Sequence, residues 1–98
     1  MADAEMLKRV KSALGITGDF MNDTISVYID EVVDYMTTAG VSGANIAASP
    51  GVVSRGVSDL WNNNSGAGKL SPYFYDRVAQ LVYKTRKDAA DVDEGGGG

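Results

Sequence analysis

The sequence contains neither cysteine nor histidine. Without cysteine there is no disulfide and no thiolate metal site, and nothing about redox compartment follows from the chain. Without histidine it lacks the commonest general base and the commonest transition-metal ligand. Most hydrolytic triads and zinc sites are thereby excluded, and only a carboxylate site for a hard cation stays open in principle. Positive charge is also scarce. Nine Lys and Arg face thirteen Asp and Glu, for a net charge of −4. A duplex-binding domain normally carries a clustered basic surface, because neutralising phosphates supplies most of its affinity. The balance argues against a dedicated nucleic-acid binder, although not against DNA passing nearby without being gripped. No stretch approaches ~18 consecutive apolar residues, so no membrane span is expected. The opening Met1-Ala2-Asp3-Ala4-Glu5 is acidic and polar rather than basic and then apolar, which is not the pattern of a secretory signal. The expected place of manufacture and use is the cytoplasm, or an object assembled there.

What is present is a pattern of short amphipathic helices. The length of 98 residues suits one domain. A chain this short buries only roughly 60–65% of the surface its unfolded form exposes, so partner subunits would add stability by mass action. Asp3 can cap a first helix of about Asp3 to Leu14. Met6, Leu7, Val10 and Leu14 lie on one face of it, and Gly15 is a natural stop. Lys8, Arg9 and Lys11 fall on its outer face. In the link that follows, Ile16 and Phe20 are the apolar anchors expected to fold back onto the core. A second helix starts near Asn22 or Asp23, either of which can cap, and stops at Gly40. Its stripe is Ile25, Tyr28, Ile29, Val32 and Met36, widened by Val33. β-branched residues are numerous there, but the period is 3.6 rather than 2, and the period decides.

The link from Val41 to Pro50 has room for one helical turn around Ala44 to Ala48. Ser49-Pro50 and Ser71-Pro72 both read as a cap followed by proline at the first helical position. The helices they open run to about Asn62 and about Arg86. The first carries Val53, Val57, Leu60 and Trp61 inward. It also holds Gly56, which costs up to ~1 kcal/mol relative to alanine and is explained if another helix approaches closely there. The last carries Phe74, Val78, Leu81 and Val82 inward, bordered by Tyr73, Tyr75 and Tyr83. Between these two helices lies a long breaker run, residues 62–68. From Asp88 the composition turns to acidic residues, alanine and four glycines, which cannot build a core. The expected fold class is therefore all-α: a small bundle of three to four helices with a long loop before the last helix and a flexible C-terminal tail. The expected core is Leu7, Val10, Ile25, Ile29, Val32, Met36, Val57, Trp61, Phe74, Val78 and Leu81.

Few residues hint at chemistry. Gly66-Ala67-Gly68-Lys69 resembles a phosphate loop, but the pattern demands a glycine where Asn63 stands and Ser or Thr where Leu70 stands. A solvated lysine in a loop is the better reading. Asp30, Glu31 and Asp34 form an acidic helix face, and a cation site there needs further oxygen ligands from elsewhere. A solvated face, or one that meets a basic neighbour, is the simpler account. Lys84, Arg86 and Lys87 end the last helix where the dipole favours cations, and acids follow at once. That juxtaposition suits head-to-tail contacts between copies. Five tyrosines are too many to bury with satisfied hydroxyls in so small a domain, so Tyr73 or Tyr75 is expected at an interface. No catalytic, cofactor-binding or metal residues are assigned.

Three stretches in this order and spacing, Met6 to Thr17, Ile25 to Tyr35 and Gly56 to Tyr83, resemble the head–tail connector, or adaptor, proteins of long-tailed bacteriophages. The more specific part is Asp59-Leu60-Trp61-Asn62 followed by Leu70-Ser71-Pro72-Tyr73-Phe74. The resemblance implies a helical connector domain over 1–87, with the tail at 88–98 outside the match. It implies a structural virion protein of the phage neck, not an enzyme and without cofactor, assembled in the host cytoplasm. Such a protein forms a ring of about twelve copies, following the symmetry of the portal. It binds the portal after DNA packaging, extends the DNA channel and offers a docking surface to the next neck, stopper or tail protein. DNA passes through without specific binding, and no membrane is involved. Candidate portal or subunit contacts are Tyr73, Tyr75, Lys84, Arg86, Lys87, Asp88 and Asp91. Residues 84–94 are the expected portal-facing segment. The competing reading is a small helical DNA-packaging accessory or regulatory protein that binds nucleic acid, with salt-dependent affinity. A third is a cation-dependent protein or enzyme that uses the acidic face.

Overall fold

The computed structural model describes residues 3–62 and 70–97, with side chains as far as Ala90. Five helices follow one another: α1 (Ala4–Leu14), α2 (Asn22–Ala39), α3 (Gly43–Ala47), α4 (Pro50–Asn62) and α5 (Pro72–Gly97). There is no strand among the described residues.

Local chemistry sets most of the boundaries. The Asp3 carboxylate accepts from Glu5 N–H at the start of α1 (3.3 Å). Gly15 ends that helix in the left-handed region at φ 72°, and Ile16 N–H reaches back to Lys11 C=O (2.9 Å). Gly40 does the same for α2 at φ 112°. Both are positions where a Cβ is penalised and glycine is not. Ser42 caps the single turn of α3, accepting from Asn45 N–H (3.2 Å). Ser71 Oγ accepts from Phe74 N–H (3.2 Å) and starts α5.

Two sequence expectations are displaced. Neither Asn22 nor Asp23 caps α2. The cap is Met21, which makes no side-chain capping bond, and Asn22 is already helical. The end of α5 also moves. Composition suggests a helix closing near Arg86, whereas helical backbone continues through Gly97. Asp88 is pinned to both Lys84 and Asn45, which carries the helix past the expected stop.

The core lies where α4 packs between α1 and α2 and α5 closes over α4. Val10, Ile25, Ile29, Val32, Met36, Val57, Phe74, Val78 and Leu81 are buried in it. Met6, Val41, Ile46, Val52, Val53 and Leu60 join them. Leu7 and Trp61 are half-buried at the margin, packed against the core rather than inside it. The Trp61 ring meets Tyr28 edge-on at 5.9 Å between centroids, which leaves its outer side to solvent. Gly56 marks the tightest approach. A Cβ built on it would sit 2.8 Å from Phe74 Cε1 and 2.8 Å from Val32 Cγ1. Both neighbours are wholly buried, so glycine at this point is what lets α4 lie between α2 and α5. Phe20 departs furthest from expectation. It was expected to anchor the α1–α2 link on the core, and instead stands 93% exposed. A cation rather than an aromatic ring holds that link.

Candidate functional site

That cation is Lys11. Its Nζ donates to Asn22 Oδ1 (2.7 Å), to Asp19 Oδ1 (3.3 Å) and to the carbonyl of Gly18. Its side chain is only 15% exposed. The helical spacing puts Lys11 with Lys8 and Arg9 on the outer face of α1, but it is turned inward as a staple between α1 and the start of α2. Arg9 pairs with Glu5 one turn back (3.1 Å). Of the three cations, Lys8 alone makes no ion pair among the described residues. Two of the three cations at residues 8–11 are therefore engaged within the chain.

A second joint links α4 to α5. Asp59, buried on α4, accepts from Ser71 N–H (3.0 Å). Its other oxygen lies 3.5 Å from Arg55 Nε. The Arg55 guanidinium in turn sits over the Tyr73 ring, 5.3 Å from its centroid. Asp59 thus fixes the entry of α5 on α4, and Arg55 orients Tyr73, which remains half-exposed. Tyr75 leans on Tyr35 (5.6 Å between centroids) and on Phe74 (6.1 Å). The two candidate interface tyrosines therefore flank Phe74 on different sides of α5 and do not form one patch.

A third joint holds α3 against the far half of α5. Asn45, buried, donates through Nδ2 to Thr85 Oγ1 (2.9 Å) and Asp88 Oδ2 (3.2 Å). Ser42 N–H also donates to Thr85 Oγ1 (3.1 Å). Lys84 Nζ donates to the same Asp88 oxygen (3.1 Å). These donors, Lys84 first and Asn45 second, hold the Asp88 carboxyl below its ordinary value. Lys84 and Asp88, expected at an interface with another protein, are joined to each other within the chain, whereas Arg86 and Lys87 are exposed and make no ion pair among the described residues. The side chain of Asp91 lies outside the described ones, as do Asn63 and the loop Gly66 to Lys69.

The sequence reading missed Asp59, Arg55, Asn45 and Thr85 as joint-forming residues. Arg55, Asp59 and Thr85 sit on helices whose apolar stripe is the stronger signal, and Asn45 lies in what reads as a link. Only Asn45, a polar residue in a run of small ones, carried a local hint. The acidic residues Asp30, Glu31 and Asp34 are exposed on α2. No group of three or more acidic side chains among the described residues converges as a metal site. No described helix is long and apolar enough to cross a membrane. Every buried polar side-chain atom among the described residues has a partner.

The polar groups of this bundle thus join helix to helix, while Phe20, Val27, Tyr35, Tyr73, Tyr75 and Tyr83 stand exposed, Tyr35 and Tyr75 side by side. The family model described as phage gp6-like head-tail connector protein matches residues 4–85. The chain belongs to that family and is a structural component of the phage head–tail junction. Comparisons with curated proteins and with solved structures gave no match.

Proposed function

We propose that the chain is a ring-forming connector that binds the portal after DNA packaging, prolongs the DNA channel and presents a docking surface to the tail or the next neck protein. About twelve copies form the ring, in keeping with the portal's own rotation axis. It acts through its surfaces, without catalysis or cofactor, and is assembled in the host cytoplasm. The observation that carries this reading is the family match, which runs from the first turn of α1 to Thr85 at the α3–α5 joint. Two physical features support it. A net charge of −4 suits a channel wall past which DNA slides without being held. Exposed aromatic side chains on different sides suit a subunit that meets neighbours laterally and other components above and below. With Lys84 and Asp88 engaged inside the chain, the candidate contacts to the portal or to a neighbouring subunit that stay available are Arg86, Lys87, Tyr73 and Tyr75.

The test uses DNA-filled, tailless heads from an infection that lacks this protein. Purified chain added to them should co-sediment with the heads and allow added tails to join, and heads stripped of portal should not retain it. Heads that ignore the chain, or that retain it equally without portal, would refute the reading.

A further inference from the structure

A groove of about 280 Å³ opens between the start of α1, the second half of α2 and α3. Met6, Ile29, Val33 and Ile46 give it an apolar floor, and Asp3 and Asp30 stand exposed at its lip. Asp34 extends the negative edge one turn further along α2. A cavity of about 150 Å³ with such a lining accepts benzene, so this one has room for a single aromatic ring. The groove therefore suits an aromatic side chain flanked by positive charge.

The chain itself carries that combination on α5. Phe74, Val78 and Leu81 face inward, and Tyr83 points to the opposite side of the helix, 70% exposed. Arg86 and Lys87 follow at i+3 and i+4, so both cations share the face of Tyr83. Neither makes an ion pair among the described residues. Tyr83 cannot reach the groove of its own chain. α3 stands between them, its Asn45 already bonded to Thr85 and Asp88 on the inner side of α5.

We infer that the occupant is a second copy: the Tyr83–Arg86–Lys87 face of one subunit docks into the Met6–Ile29–Val33–Ile46 groove of the next. Tyr83 fills the apolar floor, and the two cations meet the acidic lip. Because knob and groove are different surfaces of one chain, the contact is heterologous, and its repetition closes a ring when the rotation allows. The inference deepens the connector reading and rests on it, by assigning the lateral contact to particular residues. Charge complementarity selects the pairing, since the outer face of α2 is acidic and that of α5 beyond Tyr83 is basic.

Two full-length variants test it. One carries Arg86→Glu and Lys87→Glu, the other Asp30→Lys and Asp34→Lys, all at exposed positions. Each alone sets like charges across the contact, and its self-association should weaken about tenfold or more. Mixed in equal amounts they restore opposite charges at every contact, and assembly should return in native mass spectra. A benzophenone side chain in place of Tyr83 should cross-link to the Met6 or Ile46 peptide of a second subunit. Variants that assemble like the parent, a mixture that does not recover, or cross-links mapping to peptides of the second subunit outside the groove would overturn this contact. The connector reading would survive those results if the parent chain still rings the portal. A parent that associates with neither itself nor the portal would sink both.

Discussion

Replacing Gly56 with alanine sets two effects of known sign against each other. In a helix interior alanine is better than glycine by up to ~1 kcal/mol, so on propensity alone the change stabilises. The new Cβ, however, would lie 2.8 Å from Phe74 Cε1, 2.8 Å from Val32 Cγ1 and 2.9 Å from Val32 Cγ2. Comfortable carbon–carbon contact begins near ~3.5 Å. Neither neighbour has open space to retreat into, since both have 0% exposure. Overpacking of this kind costs about 1–3 kcal/mol, and a clash with two buried side chains belongs in the upper half of that range. The net effect is a loss of about 1–2 kcal/mol. For a domain of this size that lowers the melting temperature by roughly 5–15 °C. The assay is thermal unfolding followed by circular dichroism, with Gly51→Ala as control. Gly51 lies in the same helix, and nothing stands within 4 Å of its would-be Cβ. The control should be neutral or stabilised by up to ~1 kcal/mol. Adding Val32→Ala to Gly56→Ala should cost less than the sum of the two single changes, because the second removal makes room for the first addition. A Gly56→Ala chain that melts at or above the parent would refute the close approach of α4 to α2 and α5, and with it the packing described above.

Three further outcomes follow from the joints. Asp59→Ala strips the part-buried Ser71 N–H of its acceptor and Arg55 of its partner, and should cost about 1–3 kcal/mol in urea unfolding with the m-value unchanged. Phe20→Ser should leave stability within about 0.5 kcal/mol of the parent, whereas Phe74→Ala should cost about 3–5 kcal/mol. Asp88 has a folded value below its ordinary one, so its contribution is complete above about pH 3.9 and fades as acid takes the pH down through the folded value. Amide exchange in α3, compared between the parent and Asp88→Asn, should show a loss of protection in that acid window in the parent alone.

Features with a purely local cause were legible in the sequence. Gly15 and Gly40 end helices because their neighbours demand a left-handed residue there. Ser71-Pro72 opens α5 because cap and fixed φ act within four residues. The α2 stripe survived its many β-branched residues because burial of one face outweighs a small propensity penalty. Even the oddity of Gly56 pointed correctly to a close approach. Non-local causes were hidden. Phe20 is a lone apolar residue in a turn, where no periodicity reports whether it faces in or out. Lys11 looked like one more cation on a helix face, but its partners lie beyond the next turn, at Gly18, Asp19 and Asn22. The Asn45–Thr85 bond spans 40 residues, and no local pattern announces it. The candidate interface was legible in kind rather than in detail. Tyrosines and a basic helix end drew notice, but which cations are engaged within the chain and which are free depends on Asp88 and Asn45.

The most direct test of the central claim is electron microscopy of the purified chain mixed with the portal protein of its own phage. The account predicts a closed ring of this protein seated coaxially on the portal, its copy number matching the portal's. Portal assemblies with no added density at saturating concentrations of the chain would contradict it.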